Sequence, residues 1–151
     1  VSQIIIYTDG AAKGNPGPGG FGVVMISGPH RKEISAGFAH TTNNRMELYS
    51  VIVALESIKK TGSDVIIYSD SKYVVDAVEQ NWIFGWQKKG FNKVKNPDLW
   101  IRFIKIYNQH RIRFVWIKGH AGNIENERCD QLAVAASMQP NLPPDIGYIS
   151  S

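Results

Sequence analysis

Four acidic residues and one histidine stand at points in this chain where they could do metal-dependent chemistry. Asp9 closes the β-branched apolar run QIIIYTD at 3–9, and Asp70 directly follows the run DVIIYS at 64–69. If those runs are parallel neighbouring strands, both carboxylates lie at one sheet edge, where open α/β sheets place their sites. Glu47 lies one turn before Val51 in a helical apolar pattern, so it projects beside the apolar face, and Asp130 lies one turn into a final helical segment. Four converging carboxylates repel one another unless cations bind between them. Oxygen donors with no imidazole or thiolate among them point to Mg2+, with Mn2+ as the alternative. Two such ions, about 3.5–4 Å apart, would activate a water and stabilise the leaving oxygen of a phosphodiester. His120, in Gly119-His120-Ala121-Gly122, could move a proton nearby.

Each of these residues also has a plainer role. Asp9 precedes Gly10 and suits a turn. Asn44 and Glu47 have the spacing of a helix-capping pair, and Asp70 could cap a helix beginning at Ser71. Asp130 suits the helix dipole near an N-terminus, and His120 suits a surface turn. Taken singly, the plainer roles are favoured, and spacing alone leaves the choice open.

The elements that would position these groups follow from periodicity. Segments 3–9, 21–27 and 32–38 read as strands, the last two separated by a turn at Gly28-Pro29, and together they make an antiparallel meander. Residues 13–20, dense in glycine and proline, read as loop. Leu48, Val51, Ile52, Leu55 and Ile58 keep helical spacing until Thr61-Gly62. A buried strand at 64–69, helices at 71–80 and 97–109, a strand at 112–117 and a helix at 125–138 complete the series. Strands separated by helices imply parallel pairing, so the expected fold class is α/β: a five-stranded mixed sheet, three antiparallel strands then two parallel, flanked by helices. No internal repeat or long linker divides the 151 residues, and a single domain over 1–151 is expected. The tail 141–151 carries no pattern, so part of it is expected to be disordered.

Composition narrows the class. Hydrophobic residues make up 43% and charged residues 20%, ordinary values that set aside disordered and collagen-like chains. One cysteine, Cys129, makes no internal disulfide and no zinc site by itself. The opening residues lack the basic start and apolar length of a secretion signal, and no run nears the ~18 apolar residues of a membrane span. A cytoplasmic protein without a membrane partner is expected, with monomer as the default.

The net charge of +4 matters less than its placement. Between Gln80 and Asp98 there is no acidic residue, while Lys88, Lys89, Lys93 and Lys95 alternate with Trp82, Trp86 and Phe91. Such a segment can neutralise phosphates without reading sequence. Trp82 and Trp86, one helical turn apart, are expected in the core, which leaves the lysines as the contacts. The glycine-rich stretch 14–20 lacks the Gly-Lys-Ser/Thr ending of a nucleotide-binding loop and leads into a strand.

Tyr7-Thr8-Asp9-Gly10, Gly14-Asn15-Pro16-Gly17-Pro18-Gly19-Gly20, the run TTNNRMEL at 41–48, Ser69-Asp70-Ser71, Lys118-Gly119-His120-Ala121-Gly122 and Asn126-Glu127-Arg128-Cys129-Asp130 together resemble the signature segments of bacterial type 1 ribonuclease H. They occur in the family's order from Ile4 to about Met138. The resemblance implies an endonuclease cutting the RNA strand of RNA–DNA hybrids, leaving 5′-phosphate and 3′-hydroxyl ends. By it, Asp9, Glu47, Asp70 and Asp130 hold two metal ions and His120 carries the proton. Asn15, Asn43 and Asn44 match positions that contact the hybrid, and Thr42 matches one that holds a DNA phosphate. The lysine-rich segment with Trp82, around 81–96, is similar to a basic protrusion that grips the DNA strand. Departures are Ala12 in place of a cysteine, Lys72 and Asp76 in place of hybrid-contacting glutamines, and a slightly shorter protrusion. Two rivals remain: a DNA-acting enzyme of the same superfamily, opposed by Asn43-Asn44 and the lysines, and a silent hybrid-binding module, opposed by the intact acids.

Overall fold

A computed structural model describes residues 3–118 and 123–148. The elements, in chain order, are β1 (Gln3–Ala12), β2 (Gly17–Ser27), β3 (His30–Thr41), α1 (Asn43–Glu56), β4 (Asp64–Ser69), α2 (Lys72–Glu79), α3 (Trp82–Lys88), α4 (Pro97–Tyr107), β5 (Arg111–Trp116) and α5 (Ile124–Ser137). The strands form one sheet in the order β3-β2-β1-β4-β5. β1–β2 and β2–β3 are antiparallel, whereas β1–β4 and β4–β5 are parallel, so the expected mixed sheet is the one observed.

Alternation along β1 assigns the layers. Gly10 faces α1, because a Cβ there would lie 2.5 Å from the Glu47 nitrogen. Its neighbour Asp9 pairs with Gly22, where a Cβ would lie 2.3 Å from the Cys129 carbonyl oxygen of α5. The two helices therefore cover opposite faces. On the α1 side the core joins Ile6, Val23 and Ile67 of the sheet to Leu48, Ile52 and Leu55 of α1 and to Trp100 and Phe103 of α4, all fully buried.

Two differences from expectation concern the segment 13–20 and the end of α1. The loop is confined to 13–16: β1 runs on to Ala12 and β2 starts at Gly17. Gly17, Gly19 and Gly20 are buried, and Gly20 sits under α5, where a Cβ would meet the Ala133 oxygen at 2.5 Å. Here glycine serves close packing of a helix on a strand rather than a turn. α1 stops at Glu56, its C-cap Ser57 donating to the Ala54 carbonyl, while Ile58 leaves the helix but still packs on the core.

In the tail, the Pro143 carbonyl accepts from Ala39 N along the β3 edge, and Asp145 is buried against Arg45, while 149–151 lie outside the described residues. Among the described residues no helix is long and apolar enough to cross a membrane.

Candidate active site

The parallel register aligns the first two acids. β1 and β4 pair from Gln3–Asp64 through Tyr7–Tyr68, so continuing the register two residues sets Asp9 opposite Asp70, just past the last paired position. Asp9 lies within β1 rather than in a turn. Asp70 does not cap the helix after it; Ser71 does, accepting from Val74 N.

Glu47 reaches the same edge from α1. The N-cap of α1 is Thr42, whose side chain accepts from Arg45 N, so the Asn44–Glu47 capping pair does not form the helix start. Gly10 lets α1 press onto β1 at Met46 and Glu47, and any side chain at Gly10 would push Glu47 away. One carboxylate oxygen from each of Asp9, Glu47 and Asp70 lies within 4.8 Å of the other two.

Asp130 joins from the opposite face. α5 lies close on Gly22, the register partner of Asp9, which carries Asp130 beside Asp9. The Asp130 charge and a side-chain hydrogen bond both act on the Asp9 carboxyl. It stands outside the three-oxygen group itself.

Electrostatics marks the cluster as short of positive charge. Burial first, then the neighbouring Asp70 and Asp130 carboxylates, push Asp9 up to about 8, and Asp9 is only 4% exposed. Burial first, then the Asp9 and Asp70 charges, raise Glu47 well above its ordinary range. Its Oε1 is sealed from solvent, while the Gly10 N–H and the Asp70 carboxyl hydrogen-bond with the Glu47 carboxyl group. Hard oxygen donors, a sealed acceptor and carboxyls raised by burial and by one another fit a hard divalent cation, whose charge would relieve that repulsion.

The other expected residues divide. His120 lies in 119–122, outside the described residues. Asn15 and Asn43 are exposed and linked: Asn15 Oδ1 accepts from Asn43 N at 3.0 Å, and Asn43 Oδ1 accepts from Ala12 N. Their carbonyl oxygens tie the β1–β2 turn to the start of α1. Asn44 is exposed and Thr42 partly so. Lys88, Lys89, Lys93 and Lys95 are all exposed. Trp82 is 50% exposed, contrary to a core position. The buried stripe is one residue out of phase: Ile83 is fully buried, and Trp86 packs edge-on against Trp100 at 5.4 Å. Sequence reasoning missed Arg45, buried two residues before Glu47, and the glycines that admit α1 and α5; a buried arginine gives no periodic signal.

Residues 1–138 match the family model for RNase H. The ribonuclease H of Desulforamulus reducens is 56% identical over an alignment spanning 97% of this chain and 94% of that protein. The chain belongs to the ribonuclease H family. It is a bacterial type 1-like ribonuclease H and thus an endoribonuclease. Solved ribonucleases H share the architecture. LC9-RNase H1, described as a type 1 RNase H with the type 2 active-site motif, superposes with a TM-score of 0.82 at 32% identity, over 91% of this chain and 72% of that one. LC11-RNase H1, solved in complex with an RNA/DNA hybrid, gives 0.65 at 34% identity, over 88% and 95%. In this ribonuclease H, then, the acidic cluster lies at the C-terminal edge of the parallel strands.

Proposed function

We propose that this ribonuclease H hydrolyses the RNA strand of RNA–DNA hybrids, using two Mg2+ ions, or Mn2+ in their place, held by Asp9, Glu47, Asp70 and Asp130. The observation that carries this reading is the convergence of three carboxylate oxygens within 4.8 Å at one sheet edge, with burial and mutual repulsion raising the Asp9 and Glu47 carboxyls. When bound, the ions supply Lewis acidity toward water and the phosphodiester.

The chain's own groups do the rest. Asp9, fixed in β1, and Glu47, fixed by the contact of α1 with Gly10, orient the cluster. Asn15, Asn43 and Asn44 present exposed amides that read the RNA 2′-hydroxyl in the minor groove, and Thr42 holds a phosphate. Lys88, Lys89, Lys93 and Lys95, with the exposed Trp82 ring, grip the DNA backbone. His120 carries a proton for the leaving group. The products carry 5′-phosphate and 3′-hydroxyl ends.

Product analysis tests the chemistry. RNA fragments from a hybrid should be extended by a polymerase from their 3′-hydroxyls without phosphatase treatment. Fragments ending in a 3′-phosphate or cyclic phosphate would overturn it.

A further inference from the structure

Asp70 is the one member of the three-carboxylate group that lies in neither a strand nor a helix. Asp9 is inside β1 and Glu47 inside α1, while β4 ends at Ser69 and α2 begins at Lys72. The last β4–β5 pair is Ser69 with Trp116, and the ladder stops there, one residue short of Asp70.

Trp116 fills that gap. Its indole Nε1 donates to the Asp70 carbonyl at 3.3 Å, next to the final backbone bond from Ile117 N to the Ser69 carbonyl at 2.9 Å. Ser69 Oγ accepts from Ser71 N at 3.1 Å on the other side. The ring is 42% exposed, so packing alone does not fix its orientation. Lys72, two residues beyond Asp70, sets its ammonium 4.6 Å from the ring centroid. The indole thus bridges the end of β5 to the start of α2 across Asp70.

We infer that Trp116 is a positioning residue for Asp70: its N–H fixes the Asp70 carbonyl while Lys72 fixes the indole. This rests on the reading of the carboxylates as the cation site. The consequence is that cation affinity depends on a tryptophan N–H that touches neither cation nor substrate.

The test is calorimetric titration of Mg2+ alone into the full chain, without substrate, comparing the native protein, Trp116→Phe and Trp116→Leu. Phenylalanine keeps the ring and the Lys72 contact but has no N–H. Loss of one such hydrogen bond should weaken Mg2+ binding by about three- to tenfold, while hybrid affinity measured without divalent cation stays at the native value. Trp116→Leu, which lacks the N–H and also the ring face that Lys72 meets, should weaken Mg2+ binding at least as much. Native Mg2+ affinity in Trp116→Phe overturns the inference. So does an equal loss of cation-free hybrid affinity, which would make Trp116 a substrate contact. Should Trp116→Phe fail to fold, native Mg2+ affinity in Trp116→Leu overturns it instead. If the native chain binds no Mg2+, the cation-site reading fails first; native binding with an unaltered Phe variant defeats only the role of Trp116.

Discussion

Arg45, in the first turn of α1, and Asp145, in the tail, form an ion pair with Nε and Oδ2 2.7 Å apart and both side chains 1% exposed. The guanidinium is fully used. Nη2 reaches Asp145 Oδ1 and Asp98 Oδ2, and Nη1 reaches Asp98 Oδ1 and Asn96. Thr41 Oγ1 donates to the same Asp145 carboxylate at 2.7 Å. One arginine therefore joins β3, α1, α4 and the tail two residues from Glu47.

Removing one partner of a buried pair leaves the other charge uncompensated. Asp145→Asn should cost about 3–5 kcal/mol, read as a lower midpoint in urea unfolding. A loss under about 1 kcal/mol would mean that Asp98 alone satisfies Arg45.

Asp9 imposes a stability cost while no cation is bound. Its pKa is about 8 in the folded chain against roughly 4 in an unfolded one. Between those values the folded state binds the extra proton, so stability falls as pH rises from about 4 to about 8. Asp9→Asn should therefore stabilise the cation-free protein at pH 8, by on the order of 1–3 kcal/mol, while abolishing cleavage. The gain should shrink toward pH 4 and under saturating Mg2+. A destabilised variant in thermal unfolding would contradict the raised pKa.

Mg2+ affinity should rise with pH for the same reason. Asp9, raised to about 8, must release its proton to become a ligand, so Mg2+ dissociation constants should fall as pH rises toward about 8. Calorimetry in buffers of different ionisation enthalpy would count the protons released. Affinity independent of pH over that window would show that the carboxyls are already ionised.

Much of this site was legible in the chain itself. Two β-branched runs ending in Asp9 and Asp70 implied a shared edge, and the two strands do pair in parallel with both carboxylates in one cluster. The 3.6-residue pattern gave α1 and hence Glu47. What periodicity could not give is long-range pairing: Asp145 meets a residue 100 positions earlier from a segment with no pattern. Glycine was equally ambiguous, since a run of it reads as turn, whereas Gly20 lies flat in a strand beneath a helix. The tryptophans show the limit of phase. Trp82 and Trp86 are one turn apart, but Ile83 takes the buried position and leaves Trp82 outside.

Gly22→Ala tests whether the close approach of α5 to β2 places Asp130. The new methyl would meet the Cys129 carbonyl oxygen, 2.3 Å from an ideal Cβ, forcing α5 away from β2. Overpacking of this kind costs about 1–3 kcal/mol. Cleavage should drop further than the reduced amount of folded protein explains, because Asp130 moves with the helix. Native activity per folded molecule would show that Asp130 is held by something other than this packing.

The exposed lysines should act through the nucleic acid backbone. Converting Lys88, Lys89, Lys93 and Lys95 to glutamine should weaken hybrid binding and reduce the slope of log affinity against log salt by roughly 0.9 for each phosphate that is no longer neutralised. An unchanged slope would place the backbone grip elsewhere.

The most direct test is cleavage of an end-labelled RNA–DNA hybrid with and without Mg2+, run beside duplex DNA, duplex RNA and single-stranded RNA. The account predicts cutting of the hybrid's RNA strand alone, only with the cation, and abolished by EDTA. Cutting of the DNA strand, or undiminished activity in EDTA, would contradict it.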